Sequence, residues 1–255
     1  MLLTRREAVL GGALTILWGA REGRAHGNRG RHGFGCVLEA DEAQPFLATA
    51  VAARSGSRGS EQLITSTGNR DFDYALAQTL SRLTDIYGVL PGFGFYDDYD
   101  GENAYATDVR RMQRADGTVL YGKRYFLSGM GQAESPDAVI AAVCAHEFGH
   151  IVQFKHNLMG RLNAGQRTVK RSELHADFFS GYFAGTRKLE KPDYAAAVFA
   201  TNAFSIGDDD VTDPDHHGTS QERAAAVVRG FDTAYRERRN FADAIQIGVN
   251  YVARL

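Results

Sequence analysis

Residues 143 to 152 constrain this chain more than any other stretch. They read Val-Cys-Ala-His-Glu-Phe-Gly-His-Ile-Val, with His146 and His150 four apart and Glu147 beside the first. On an α-helix, positions four apart lie roughly 40° from one another and about one turn along the axis. Two imidazoles so placed can grip one metal ion, and a carboxylate at 147 stands where it can take a proton from a water that the ion activates. The bare pattern also occurs by chance, but here its neighbours are uncharged and the helical setting is good. Ser135-Pro136-Asp137 opens the helix: Ser135 is expected to cap it, Pro136 suits the first helical position, and Asp137 meets the positive end of the dipole. The pattern predicts a helix through both histidines to about Leu158.

A catalytic zinc ion needs a third protein ligand. His156 has the spacing of the metzincin motif, but that motif needs glycine at position 153, where this chain has Gln153. On an unbroken helix His156 lies about 120° around from His150 and ~9 Å further along, out of reach of the same ion. Glu173 is the favoured donor. Ser172-Glu173-Leu174-His175-Ala176-Asp177 starts a second helix, predicted over 170–189, on which Glu173 and Asp177 share a face. Glu173 is then the ligand, and Asp177 accepts the ring N–H of a ligating histidine. The plainer reading is two solvated charges. The apolar residues Leu174, Phe178, Phe179 and Phe183 argue against it, because carboxylates on a buried helix need partners. His175 points elsewhere on the helix and stands third.

The rest of the chain sorts into three segments. Paired Arg5 and Arg6, an apolar run from Ala8 to Ala20 and a small residue at Ala25 resemble a twin-arginine export signal over residues 1–25. The expected location is therefore periplasmic or secreted. Residues 26–41 read as a flexible mature N-terminus, and 42–255 as one domain. Helices are expected over 42–54 and 71–87, a loop over 57–69, and strands over 93–96, 104–109 and 118–127, with Asp116-Gly117 as a hairpin signal. Further helices are expected from Pro192 to before Gly207, from Gln221 to Arg236 behind a Thr219/Glu222 capping box, and after Asn240. Helices, a small sheet, then helices make an α+β architecture. The net charge of −2 and the lack of long basic runs speak against nucleic acid as a partner, and no segment beyond the leader is apolar enough for a membrane span. Cys36 and Cys144 could pair in an oxidising compartment or stay separate thiols. The acidic loop with Asp208, Asp209, Asp210, Asp213 and Asp215 lacks the regular spacing of a calcium loop and reads as solvated.

His146-Glu147-x-x-His150 followed by Glu173-x-x-x-Asp177 resembles the gluzincins, the thermolysin-like zinc peptidases. Ile206-Gly207-Asp208-Asp209 and His217-Gly218-Thr219-Ser220-x-x-Arg223 are similar to the bacterial neutral zinc metallopeptidases and, more loosely, to the prenyl-protein protease type. The resemblance covers roughly residues 90–235. It implies a zincin-like fold, with a small antiparallel or mixed sheet packed on a mostly helical domain. It also implies a Zn2+ cofactor, a peptide or protein substrate, and Glu147 as general base. Asn103-Ala104-Tyr105-Ala106 resembles the edge strand that, in that group, holds an extended substrate. The family further implies a donor to the oxyanion from the C-terminal half. His217 is the candidate, His216 is next, and Tyr105 and Arg223 are further candidates. Two alternatives remain open: a zinc hydrolase of a non-peptide amide, and a catalytically silent zinc-binding module that recognises other proteins.

Overall fold

A computed structural model describes residues 37–38, 64–99, 101–111, 114, 116–131 and 135–255. The expected leader, the helix at 42–54 and Cys36 lie outside the described residues. The architecture is α+β: a small mixed sheet, then mostly helices. Helix α1 (Arg70–Tyr87) is closed at both ends by its own residues. The Asn69 side chain accepts from the Asp71 and Phe72 amides, and Gly88 takes the left-handed conformation at φ 65°.

Strands β1 (Val37–Leu38), β2 (Gly92–Tyr96), β3 (Ala104–Thr107) and β4 (Thr118–Gly122) form a sheet in the order β1-β3-β4-β2. β3 and β4 are antiparallel, with Ala104 opposite Tyr121 and Thr107 opposite Thr118; β1 runs parallel to β3, and β2 parallel to β4. β3 is therefore not the sheet edge that the sequence suggested. Val37 and Leu38 pair with Ala106 and Thr107, and a two-residue strand so far away in the chain leaves no periodicity to read. Asp116-Gly117 makes no tight hairpin either. Asp116 accepts from the Leu90 amide at 2.7 Å and from Lys155 Nζ at 3.1 Å, closing a longer connection over 108–117.

The third strand was expected to run on to Leu127, but helix α2 (Lys123–Met130) starts directly after Gly122. The cause is non-local. Asp98 is fully buried and accepts from the Arg124 and Tyr125 amides at 2.7 and 3.0 Å, so it supplies from the β2–β3 loop the cap that Gly122 lacks. A Cβ on Gly122 would lie 2.2 Å from the Asp98 carboxylate.

Helix α3 (Pro136–Lys155) is the centre of the molecule: every residue from Ala138 to Gln153 is buried, as an all-round apolar helix demands. Pro136 is its first residue, but Ser135 does not cap it with its side chain. Ser135 sits at φ 47° and contributes its carbonyl to the Ala138 and Val139 amides instead. One face of α3 packs on β3 and β4, where Ala104, Ala106, Val119 and Tyr121 join the core. Cys144 on this helix is completely buried. The helix ends at Lys155, ahead of the expected Leu158, with His156 exposed at the C-cap and Asn157 at φ 54°.

The short α4 (Met159–Asn163) leads to α5 (Lys170–Glu190), followed by α6 (Ala197–Ser205), α7 (Ser220–Tyr235) and α8 (Phe241–Val252). α6 starts later than the sequence suggested, and a turn precedes it. The capping box of Thr219 and Glu222 and the Asn240 cap form as expected. α5 and α7 make the most extensive helix contact in the fold. Asp177 meets Arg223, Gly181 meets Val227 and Gly185 meets Phe231, the same step of four on each helix, so the two run parallel. They approach through glycine. A Cβ on Gly181 would lie 1.8 Å from the Val227 carbonyl, and one on Gly230 would lie 1.8 Å from that of Phe178. No helix among the described residues is long and apolar enough to cross a membrane.

Candidate metal centre

α3 and α5 pack side by side, with Gly149 against Ala176. Their close approach brings His146, His150 and Glu173 into one buried group that could hold a metal ion. The His146 and His150 Nε2 atoms are 3.2 Å apart. Glu173 Oε2 lies 3.2 Å from the first, and Glu173 Oε1 lies 3.5 Å from the second.

The outward ring nitrogens are both engaged. His146 Nδ1 donates to Asp177 Oδ1 at 2.8 Å, as the sequence suggested, and His150 Nδ1 donates to Gln153 Oε1 at 3.0 Å. Each ring thus turns its N–H outward, and two imidazole lone pairs and a carboxylate face one another. Three electron-rich atoms at such separations repel unless a proton or a cation lies among them. Burial opposes ionisation of Glu173, but His150, His217 and His146 outweigh it and hold the carboxyl well below its ordinary range.

Asp177 is itself held by Arg223, a residue named in the sequence reading only as a further oxyanion donor. Arg223 is buried on α7, donates from Nε to Asp177 Oδ2 at 2.8 Å and from Nη2 to Oδ1 at 3.0 Å, and reaches the Ile206 carbonyl at 3.4 Å. Burial pushes the Asp177 carboxyl up. Arg223 and then His146 more than offset this and keep it ionised. No local pattern marks Arg223, which follows Gln221 and Glu222, and its partner sits on another helix.

Glu147 is buried beside the group, and its Oε2 has no hydrogen-bond partner. Burial pushes its carboxyl up to about 7; His146 and His150 draw it down, and Glu173 adds to the rise. His217 comes close enough to feel the charges of Glu173, Arg223 and His146, and burial lowers its pKa. Asp208 organises this corner, accepting from the His217 amide at 3.0 Å and from His216 Nδ1, while His216 Nε2 is buried without a partner. His156 is exposed and outside the metal group. Asn103 is occupied within the chain: its side chain accepts from the Ala104 amide at 2.8 Å and its carbonyl from the Gly122 amide at 2.9 Å. Ala104 and Tyr105 lie on β3, which packs on α3.

These groups give a pH signature in metal-free protein. His175 is buried and its pKa is pushed down to about 3, so below its ordinary 6.5 the unfolded chain takes a proton that the native state refuses. That makes stability fall as pH falls, and His217 acts in the same sense. Glu147 acts oppositely. With a folded pKa of about 7 against an ordinary 4.5, its contribution is fully present below 4.5 and lost as pH rises through 7. Glu147→Gln removes this opposing slope. Between pH 6.5 and 4.5 the metal-free variant should therefore lose stability more steeply than wild type in urea unfolding, by roughly 1 kcal/mol per pH unit. Parallel stability curves would exclude the assignment.

No family model matches the chain, and neither does any solved structure. The chain is similar to two proteins called uncharacterized protein YpfJ, one from Escherichia coli strain K12 and one from Escherichia coli O6:H1. Each is 36% identical over 146 residues, covering 47% of this chain and 49% of the relative. The similarity thus spans about half the length of those relatives.

Proposed function

We propose that this protein is a zinc-dependent peptidase in which His146, His150 and Glu173 hold the metal and Glu147 is the general base. The observation that carries the reading is the convergence of three buried donors with both ring N–H groups directed away from their centre. A tetrahedral ion with bonds of about 2.0–2.1 Å sets its ligands about 3.3 Å apart; the two ring nitrogens here stand 3.2 Å apart, and each has one of the two Glu173 oxygens near it, at 3.2 and 3.5 Å. Two imidazoles and one carboxylate suit zinc better than the oxygen-seeking calcium or magnesium. Among the described residues the group offers three ligands rather than four, which would leave a position open for chemistry, as in catalytic zinc sites.

When bound, zinc supplies Lewis acidity, acidifying a water and polarising the scissile carbonyl. Glu147 would accept the proton of the attacking water at Oε2, the oxygen without a partner among the described residues, and would return it to the leaving amine. His217, held by Asp208, provides a donor for the oxyanion that develops on the carbonyl. The resemblance to gluzincins supports the same reading, as does a site that keeps its base. We place the mature enzyme outside the cytoplasm, on the strength of the residue 1–25 pattern.

Metal content tests this directly. Wild type purified without added metal should carry about one zinc per chain. Glu173→Ala should carry little, and His156→Ala should match wild type. Zinc lost in His156→Ala and kept in Glu173→Ala would move the site to the metzincin arrangement and end this proposal.

A further inference from the structure

We infer that Gln153 is a positioning residue for the metal ligand His150, and that its amide ties the metal centre to the C-terminal helix α8 through His175. The inference rests on reading His146, His150 and Glu173 as metal ligands. Gln153 is fully buried on α3, one turn beyond His150. Its Oε1 lies 3.0 Å from His150 Nδ1, and its Nε2 lies 2.7 Å from the Ser172 carbonyl and 3.3 Å from His175 Nδ1.

These contacts allow one arrangement of hydrogens. A carbonyl can only accept, so the amide NH2 faces Ser172 and the amide oxygen faces His150. His150 must then carry its hydrogen on Nδ1, which leaves the Nε2 lone pair for the metal. The second amide hydrogen meets His175 Nδ1, which must accept. The His175 hydrogen therefore sits on Nε2, directed at the Ile245 carbonyl of α8 at 3.4 Å. One backbone carbonyl thus sets the proton position on two imidazoles in succession.

The same amide braces the two ligand-bearing helices. It leaves α3 with His150 and ends on the carbonyl of Ser172, the residue before Glu173. At the far end, α8 gives His175 room only because residue 248 is glycine: a Cβ there would lie 2.9 Å from His175 Nε2. A neutral amide also fits the local charge. Glu147, Glu173 and Asp177 already place three carboxylates in this interior, and Arg223 is bonded to one of them. A fourth carboxylate behind His150 would face the Ser172 carbonyl with no donor to offer it.

Zinc affinity of the full chain, by chelator competition, and the visible spectrum of cobalt-loaded protein test the chain of contacts. Gln153→Leu keeps the bulk and removes the polar atoms. Its zinc dissociation constant should rise about 10- to 100-fold, with an altered cobalt spectrum that a change in stability alone would not produce. Gly248→Ala touches neither a ligand nor Gln153, yet it displaces His175 and should weaken zinc in the same direction by a smaller factor. Wild-type affinity and an unchanged spectrum in Gln153→Leu overturn the positioning role. Loss in Gln153→Leu with wild-type behaviour in Gly248→Ala overturns the link to α8. Should Gln153→Leu not fold, Gly248→Ala decides alone. A wild-type protein that binds no zinc fails at the earlier step, the metal reading itself.

Discussion

Glu147→Gln should leave zinc content at the wild-type level and lower peptide hydrolysis by about 10²- to 10⁴-fold, the usual contribution of a positioned base. The substitution preserves shape and removes only the proton acceptor. None of the atoms that hold His146, His150 and Glu173 in place belongs to Glu147. Its Oε2 lies in the interior without a partner, an arrangement that costs stability and persists where an incoming group completes it. Comparing zinc content with the turnover of an unstructured protein substrate separates the outcomes. Zinc kept and hydrolysis lost is the expected result. Full hydrolysis in the variant would sink Glu147 as the base. A wild-type protein that binds zinc yet cleaves neither peptides nor other amides would favour the recognition module.

Arg223→Met should destabilise the metal-free protein by about 3–5 kcal/mol, because it strands the Asp177 charge in the interior. The pair is bidentate, and both side chains are almost wholly buried. Replacing both partners differs from replacing one. Asp177→Asn combined with Arg223→Met removes the stranded charge and should recover part of the loss, even though it removes more contacts. Denaturant unfolding of the two single variants and the double variant measures the coupling. A loss below about 1 kcal/mol in Arg223→Met would mean that the pair behaves like a surface ion pair. Zinc affinity should fall in Arg223→Met as well, since an unclasped Asp177 no longer fixes the His146 ring.

Much of what is encoded over a few neighbouring residues was legible in the sequence: Gly88 closes α1, Thr219 and Glu222 open α7, and Asn240 opens α8, each through bonds within four residues of the helix end. The Ser135 side-chain cap and the Asp116-Gly117 hairpin, equally local signals, did not form. The candidate metal group was legible for the same reason: His146 and His150 share one helix face, and Glu173 and Asp177 share a face of the next long helix. Contacts across the fold were not legible. The β4–α2 switch depends on Asp98, far upstream, so aromatic residues up to Leu127 suggested a longer strand. The pairing of β1 with β3 and of Arg223 with Asp177 join residues that no local pattern connects. Gln153 was noticed only as a missing glycine. Its position three residues after His150, on a helix predicted to be buried, was the overlooked signal, because a buried amide must find donors and acceptors.

The complete burial of Cys144 bears on chemical durability. A thiol two residues before a proposed metal ligand is a potential rival for zinc and a target for peroxide, since both act on the thiolate. Burial raises the Cys144 pKa far above its ordinary value, with Glu147 adding to the rise, so the sulfur stays protonated. It also packs within the apolar core, out of contact with solvent. Whatever the redox poise of its surroundings, the protein should keep its metal-binding stoichiometry through oxidative exposure that would inactivate an accessible thiol in the same place.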